Sequence, residues 1–253
     1  MKKDKLFDQI GIDLVEGCNR RCKWCPYYQA KYRKTFGNKM KEETFIKILK
    51  ELQELDFKGK ISPYSLGEPL LNPDLIRHLK LIREYLPEAY IFILTNGTLI
   101  KDRKHIESLV NAGVSHFEVN CYEKAHYEKL KQYNDMDRVS IRPKYTPYIR
   151  RTFITRASNI RVDDAPEIGG ELATKYCERP FQRIVIDSSG KVLMCCADYG
   201  KEEVAGDLTH QSIVEVWNSP LFKKYRKYLK EGNRKPLKLC RKCNYPKKYE
   251  GNN

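Results

Sequence analysis

"IGIDLVEGCNRRCKWCPYY" (residues 10–28) decides how this chain reads. Its first half is a short apolar run and reads as a buried strand. That strand enters a loop with three cysteines, Cys18, Cys22 and Cys25, spaced C-x3-C-x2-C. Tetrahedral metal sites usually close with four ligands. Three in so tight a loop point to a site completed elsewhere or left open. Thiolates are soft ligands that suit zinc, copper(I) or iron–sulfur clusters. A structural zinc would want a fourth ligand, and the first histidine, His78, lies far off on a helical stretch. The three cysteines make most sense as ligands of a cluster with one iron open to a small molecule.

Working outward, strand-like and helix-like segments alternate. "KEETFIKILKELQEL" (41–55) has apolar residues at helical spacing. "KISPYSLGEPL" (60–70) is strand then turn, and "NPDLIRHLKLIREYL" (72–86) opens with helix-start residues. "AYIFILTNG" (89–97) and "SHFEVNCY" (115–122) are strands, separated by a helix over 102–113. A short helix over 123–133 leads to a fifth strand in 137–145. Such alternation predicts an α/β fold, a partial (β/α) barrel of five to six parallel strands, the sixth near Thr152–Arg156. Ligands of these folds sit beyond the carboxyl ends of the strands. The cysteine loop, Gly67–Glu68–Pro69, Thr95–Asn96–Gly97 and Cys121 all fall at such ends.

The rhythm is lost over 146–176. The predicted division is a barrel over 1–160, a linker over 161–176 and a small hairpin-plus-helix domain over 177–253. "RIVIDSSGKVLMCC" (183–196) reads as a hairpin around a Ser-Ser-Gly turn. "SIVEVWNSPLFKKYRKYLKEG" (212–232) reads as a helix broken near Ser219–Pro220, with Trp217 a packing aromatic. Cys177, Cys195, Cys240 and Cys243 complete a second cysteine set, while Cys196 abuts Cys195 and is expected to be a nearby thiol.

The chain has 253 residues, nine cysteines and a formal charge of +15. No apolar run is long enough for a membrane span, and the first residues are too polar for a signal peptide. A cytoplasmic location is expected, where so many cysteines imply metal or catalytic chemistry rather than disulfides. The positive charge fits an anionic partner or the Lys/Glu-rich surface of a heat-adapted protein. No RNA-binding motif accompanies it, so a nucleic-acid partner is not favoured. A zinc protein remains the bland rival for the C-terminal cysteines, since C-x2-C pairs serve zinc equally well.

The cysteine loop, with Trp24 before Cys25, resembles the signature of the radical S-adenosylmethionine enzymes. "GEP" (67–69) and "TNG" (95–97) are similar to the family's cosubstrate-binding strand ends. The resemblance implies a 4Fe–4S cluster on Cys18, Cys22 and Cys25 that binds S-adenosylmethionine at its open iron. It implies cosubstrate contacts from Trp24, Gly67, Glu68, Thr95 and Asn96. Arg156, in "TRAS" (155–158), takes the place of a carboxylate-binding arginine, although the glycines that follow it in the family are absent. The C-terminal cysteines resemble the Twitch module, the short form of SPASM, implying an auxiliary 4Fe–4S cluster on Cys177, Cys195, Cys240 and Cys243. "LDFKGKIS", "GEPLL" and "SPLFKKYRKYLKEG" are similar to segments of the family's aminocyclitol dehydrogenases.

The implied reaction is hydrogen-atom abstraction by a 5′-deoxyadenosyl radical, completed as a two-electron oxidation through the auxiliary cluster. The implied substrate is a small polar molecule or a peptide, anionic or hydroxyl-rich, and the implied electron donor is a flavodoxin or ferredoxin. The alternatives are a peptide-modifying maturase, or an epimerase in which Cys121 or Cys196 returns a hydrogen atom. Cys121 also has a plain reading, as a small buried hydrophobe.

Overall fold

The computed structural model describes residues 6–22, 25–29, 34–145, 176–241 and 243. Eight strands form one sheet in the order β5-β4-β3-β2-β1-β6-β7-β8. They are β1 (Gln9–Ile12), β2 (Lys60–Ser62), β3 (Tyr90–Thr95), β4 (His116–Cys121), β5 (Val139–Pro143), β6 (Arg183–Ile186), β7 (Lys191–Leu193) and β8 (Val204–Asp207). Every pairing from β5 to β6 is parallel, and β7 and β8 are antiparallel additions. Helices α1 (Glu42–Glu54), α2 (Leu75–Tyr85), α3 (Arg103–Asn111) and α4 (Lys124–Leu130) connect the parallel strands.

The strand pattern explains the layering. Ile10, Ile12, Ile61, Ile91, Ile93, Phe117, Val119 and Ile141 alternate onto one face and enter the main core. Phe45, Ile48, Leu49 and Leu52 of α1 join them, with Leu75, Leu79 and Ile82 of α2. Each such side chain, fully buried, contributes about 1.5–3 kcal/mol of apolar transfer. The intervening residues turn to the opposite face. They are far more polar: Lys60, His116, Glu118, Asn120, Arg142 and Arg183, with Gly11 and Phe92 among them.

Two expectations change, and a third lies outside the described residues. The first strand is shorter than "IGIDLVEG" implies. After Ile12 only the Asp13 amide continues the ladder, to Ile186 O at 2.8 Å. The chain then turns to pair with residues 38–40, through Met40 N to Leu14 O and Glu16 N to Asn38 O. Secondly, β6, read as the first strand of a separate hairpin, pairs parallel with β1 in register Ile10 to Ile184. The hairpin therefore extends the barrel's own sheet, because Ile184 and Ile186 add to the same apolar face. Thirdly, the strand expected near Thr152–Arg156 lies outside the described residues, as does all of the expected linker except Tyr176.

The break at Ser219–Pro220 is real. The helix Ile213–Trp217 starts with a capping box between Ser212 and Glu215, and the helix Pro220–Lys230 starts on the Ser219 side chain. Trp217 packs on Phe7 and Phe222 at ring distances of 5.1 and 5.0 Å. Arg226 lies 3.9 Å over the Trp217 ring and donates to the carbonyls of Pro180 and Trp217, both at 2.8 Å. It pins the two helices to the single turn Arg179–Gln182.

Candidate functional site

Three of the four expected strand ends converge. The loop after β1 meets the loop after β2 backbone to backbone, with Glu68 N donating to Gly17 O at 2.8 Å. The approach is so close that a Cβ on Gly67 would stand 2.6 Å from that carbonyl. Gly17 itself has a φ of +120°, and a Cβ there would strike the Phe36 ring. The Glu68 carboxylate, 3% exposed, accepts from the amides of Leu70 and Asn96 and from the Thr95 hydroxyl. Burial raises its pKa, and those three donors oppose the rise. Glu68 thus braces the end of β2 against the end of β3.

Asn96 extends the brace to the cysteine loop. Its Nδ2 donates to Asn19 Oδ1 at 3.0 Å and lies 3.6 Å from Cys18 Sγ. The Arg20 amide approaches the same sulfur at 3.5 Å. Arg20 also pairs with Glu123 at 2.6 Å and hydrogen-bonds Cys22. A free Cys18 thiol would be pushed up to about 11 by burial, with Cys22, Cys25 and Glu68 adding to the rise. Cys18 meets N–H donors and Cys22 a guanidinium, surroundings that suit metal-bound thiolates, because a metal deprotonates a coordinated thiol outright. Trp24 lies outside the described residues, as does Arg156.

Cys121 turns the other way. It is fully buried, on the same face as Phe117 and Val119, and belongs to the main core. Burial raises its pKa to about 11. The period of two along β4 puts Glu118 and Asn120, not Cys121, on the opposite face. The packing reading fits this placement, and the Arg20 guanidinium of the cysteine loop acts on the same thiol, opposing the rise from burial.

The four C-terminal cysteines, Cys177, Cys195, Cys240 and Cys243, line one small pocket walled by Met194, Leu229 and Leu239. Among the described residues no three His, Cys, Asp or Glu side chains draw close enough to hold a single metal ion. Two arginines border the pocket. Arg179 reaches Cys195 Sγ at 3.6 Å, and Arg234, 1% exposed, donates to the carbonyls of Cys243 and Tyr176. Burial raises the Cys177 and Cys240 thiols, and Arg234 opposes the rise in both. The hydrogen bond with Cys196 is the largest influence on Cys195. A fully thiolate-ligated cluster carries net negative charge, and two buried-side guanidinium groups fit it.

A second apolar cluster packs against the N-terminal cysteine loop and against Cys196, the neighbour of Cys195. Tyr27, Leu66, Val185, Leu193 and Tyr199 pack together, with the half-buried Cys18, Cys25 and Cys196 against them. Tyr27 and Tyr199 meet edge to face at 5.4 Å. Beside them lies an ion group that sequence reading missed. Lys201 Nζ bridges Glu16 at 2.6 Å and Asp187 at 2.9 Å, both carboxylates almost fully buried. Burial alone would lower the Lys201 pKa, but Asp187 and Glu16 raise it. The group clamps the cysteine loop to the β6–β7 turn. The sequence signal was present in the two acids of "IGIDLVEG", an otherwise apolar run.

Asp13, the other of those acids, accepts from the amides of Ser65 and Leu66 and is raised by burial to about 7. A carboxyl raised on folding stabilises fully below its unfolded value of 3.8, and loses that contribution as pH climbs to about 7. Asp13→Asn, which keeps an acceptor for both amides, should therefore flatten the pH dependence of stability in that window. The slope removed approaches about 1.4 kcal/mol per pH unit. Denaturant titrations at half-unit steps from pH 4 to 8 check this; parallel curves for the two proteins would refute it.

The sequence signature of the Radical SAM superfamily matches residues 12–123. That of the SPASM iron-sulfur cluster-binding domain matches residues 177–244. The S-adenosyl-L-methionine-dependent 2-deoxy-scyllo-inosamine dehydrogenase of Niallia circulans is 29% identical over 242 residues, spanning 95% of this chain and 94% of that protein. A GTP 3′,8-cyclase of Campylobacter jejuni is 32% identical, but over 46% of this chain and 37% of its own length. Among solved structures, BtrN in complex with AdoMet and 2-DOIA superposes with a TM-score of 0.81 at 29% identity, covering 97% of this chain and 98% of that one. SuiB of Streptococcus suis bound to S-adenosylmethionine shares the fold, with a TM-score of 0.54 at 17% identity, covering 88% of this chain and 68% of that one. No helix among the described residues is long and apolar enough to cross a membrane.

Proposed function

Because this chain belongs to the radical SAM superfamily and carries a SPASM-type iron–sulfur module, we propose that it is a dehydrogenase of a small hydroxyl-rich molecule. Cys18, Cys22 and Cys25 would hold the cluster that binds S-adenosylmethionine, and Cys177, Cys195, Cys240 and Cys243 the auxiliary one. When bound, the first cluster supplies the electron that splits S-adenosylmethionine and so generates the hydrogen-abstracting radical.

The chain's own residues do the rest. Glu68, Thr95 and Asn96 fix the three strand ends, so that the cosubstrate meets a rigid rim. Arg156 is assigned to the cosubstrate's carboxylate side by its motif alone. Loss of a hydrogen atom from carbon, a proton from the hydroxyl and one electron to the auxiliary cluster balances as alcohol to ketone. The observation that carries this reading is the apolar cluster of Tyr27, Leu66, Val185, Leu193 and Tyr199, which packs against Cys18 and Cys25 of the first set and against Cys196, the sequence neighbour of Cys195 in the second. The similarity to a 2-deoxy-scyllo-inosamine dehydrogenase over nearly the whole chain supports a cyclitol-like substrate. A flavodoxin or ferredoxin would supply the initiating electron.

Wild type and the Cys121→Ala variant, each assayed in deuterium oxide with the anaerobic holoenzyme, test oxidation against epimerisation. The expected result is ketone product at a rate within about twofold of wild type, since the thiol packs in the core and a buried Cys→Ala change is small. Recovered substrate carrying deuterium at an inverted carbon would overturn the dehydrogenase reading.

A further inference from the structure

The inner, polar face of the sheet holds a set of cations that the cluster chemistry does not use. Arg183 starts β6 but reaches across β1, where a Cβ on Gly11 would stand 3.1 Å from its Nη2 and 3.2 Å from Ser65 Cβ. Lys60 stands next to Gln9 in register, and Gln9 stands next to Arg183. The Lys60 ammonium lies 3.8 Å over the Phe92 ring, whose other contact is a stack with His116. Arg142 pairs with Glu118 at 3.0 Å. Among the described residues, three cations, Lys60, Arg142 and Arg183, thus share one face with the strand carboxylate Glu118, and the buried Asp13 carboxyl stands at its end, occupied by the amides of Ser65 and Leu66.

Arg183 Nε and Ser65 Oγ are buried without a hydrogen-bond partner among the described residues. Neither Arg183 nor Lys60 has a carboxylate within ion-pair distance there. Burying polar hydrogens unpaired is costly, so an acceptor is expected to arrive with a ligand. Asn120 Oδ1, farther along the same face toward the strand ends, is buried without a donor among the described residues. The place is continuous with the site above. Leu66, the residue after Ser65, and Val185, in register with Gly11, both belong to the apolar cluster that Cys18 and Cys25 pack against.

We propose that Arg183, Lys60 and Ser65 form an anion subsite, so that the substrate carries a phosphate or carboxylate group. The hydroxyl-bearing body of the substrate then extends toward Asn120 and the cysteine loop. This rests on the dehydrogenase reading for its location, but its test does not.

Anaerobically purified holoenzyme, saturated with S-adenosylmethionine, is titrated calorimetrically with inorganic phosphate and separately with acetate at constant ionic strength. Saturable one-site binding of either anion is expected. Arg183→Met and Lys60→Met should each weaken it about tenfold, the loss expected of one charge-assisted contact. Lys41→Met, on the exposed start of α1, should leave it unchanged. Arg183→Lys should retain most of the affinity and shows that any Arg183→Met loss is not misfolding. Absence of saturable binding to wild type, or equal affinity in wild type and Arg183→Met, would overturn the subsite. Failure of the reduced holoenzyme to form 5′-deoxyadenosine would instead overturn the enzymatic reading and leave the binding result standing.

Discussion

Replacing Cys18, Cys22 and Cys25 together by alanine should leave a folded protein with about half its iron and no reductive cleavage of S-adenosylmethionine. The three thiols lie in a loop held by the Glu68–Asn96 brace and the Lys201 ion group, neither of which involves a cysteine sulfur as its anchor. The loop's backbone bonds to Asn38 and Gly37 are also untouched. Loss of the cluster should therefore cost chemistry rather than fold. Iron and sulfide analysis with low-temperature electron paramagnetic resonance of the reduced protein reads both halves. The auxiliary signal should persist while 5′-deoxyadenosine falls to background. Retention of cleavage, or loss of all iron at once, would contradict two independent clusters.

The opposite lesion should separate cleavage from oxidation. In Cys240→Ala/Cys243→Ala the C-terminal pocket loses two of its four thiols, and Arg179 and Arg234 are left beside a vacated charge. We expect 5′-deoxyadenosine to form still, with ketone falling below about 1% of wild type, a barrier increase of about 2.7 kcal/mol or more. The pocket also lies between the helix Pro220–Lys230 and the β7 end, so thermal stability should drop as it does when structural metal is lost. Measuring both products in the same reaction guards against a trivial loss of folding, because a collapsed protein makes neither. Ketone formation at the wild-type ratio to 5′-deoxyadenosine would remove the auxiliary cluster from the oxidation.

Much of this was legible before any coordinates. The order of strands and helices through residue 145 follows from hydrophobic period, and the observed β3 and β4 fall within one or two residues of the predicted stretches. The site motifs were also legible, because spacings such as C-x3-C-x2-C are local and survive without knowledge of the fold. Two points needed the fold, for one cause. Cys121 sits at a strand end, and end position alone does not say which face a side chain takes; parity with Phe117 and Val119 does. β6 looked like part of a separate hairpin because a parallel partner nearly the whole chain away leaves no local trace.

What the sequence by itself determined was chemistry with a short range: thiol count and spacing, the helix break at Ser219–Pro220, and the apolar period that builds the core. What only the tertiary structure decided was which distant groups meet. Lys201 clamps Glu16 to Asp187, Asp13 collects the amides of Ser65 and Leu66, Arg234 is buried beside the cysteine pocket, and Arg183 lies across Gly11. The physical reason is that a charge gains or loses most where water is excluded. Exclusion is a property of the packed whole, and no window of neighbouring residues carries it.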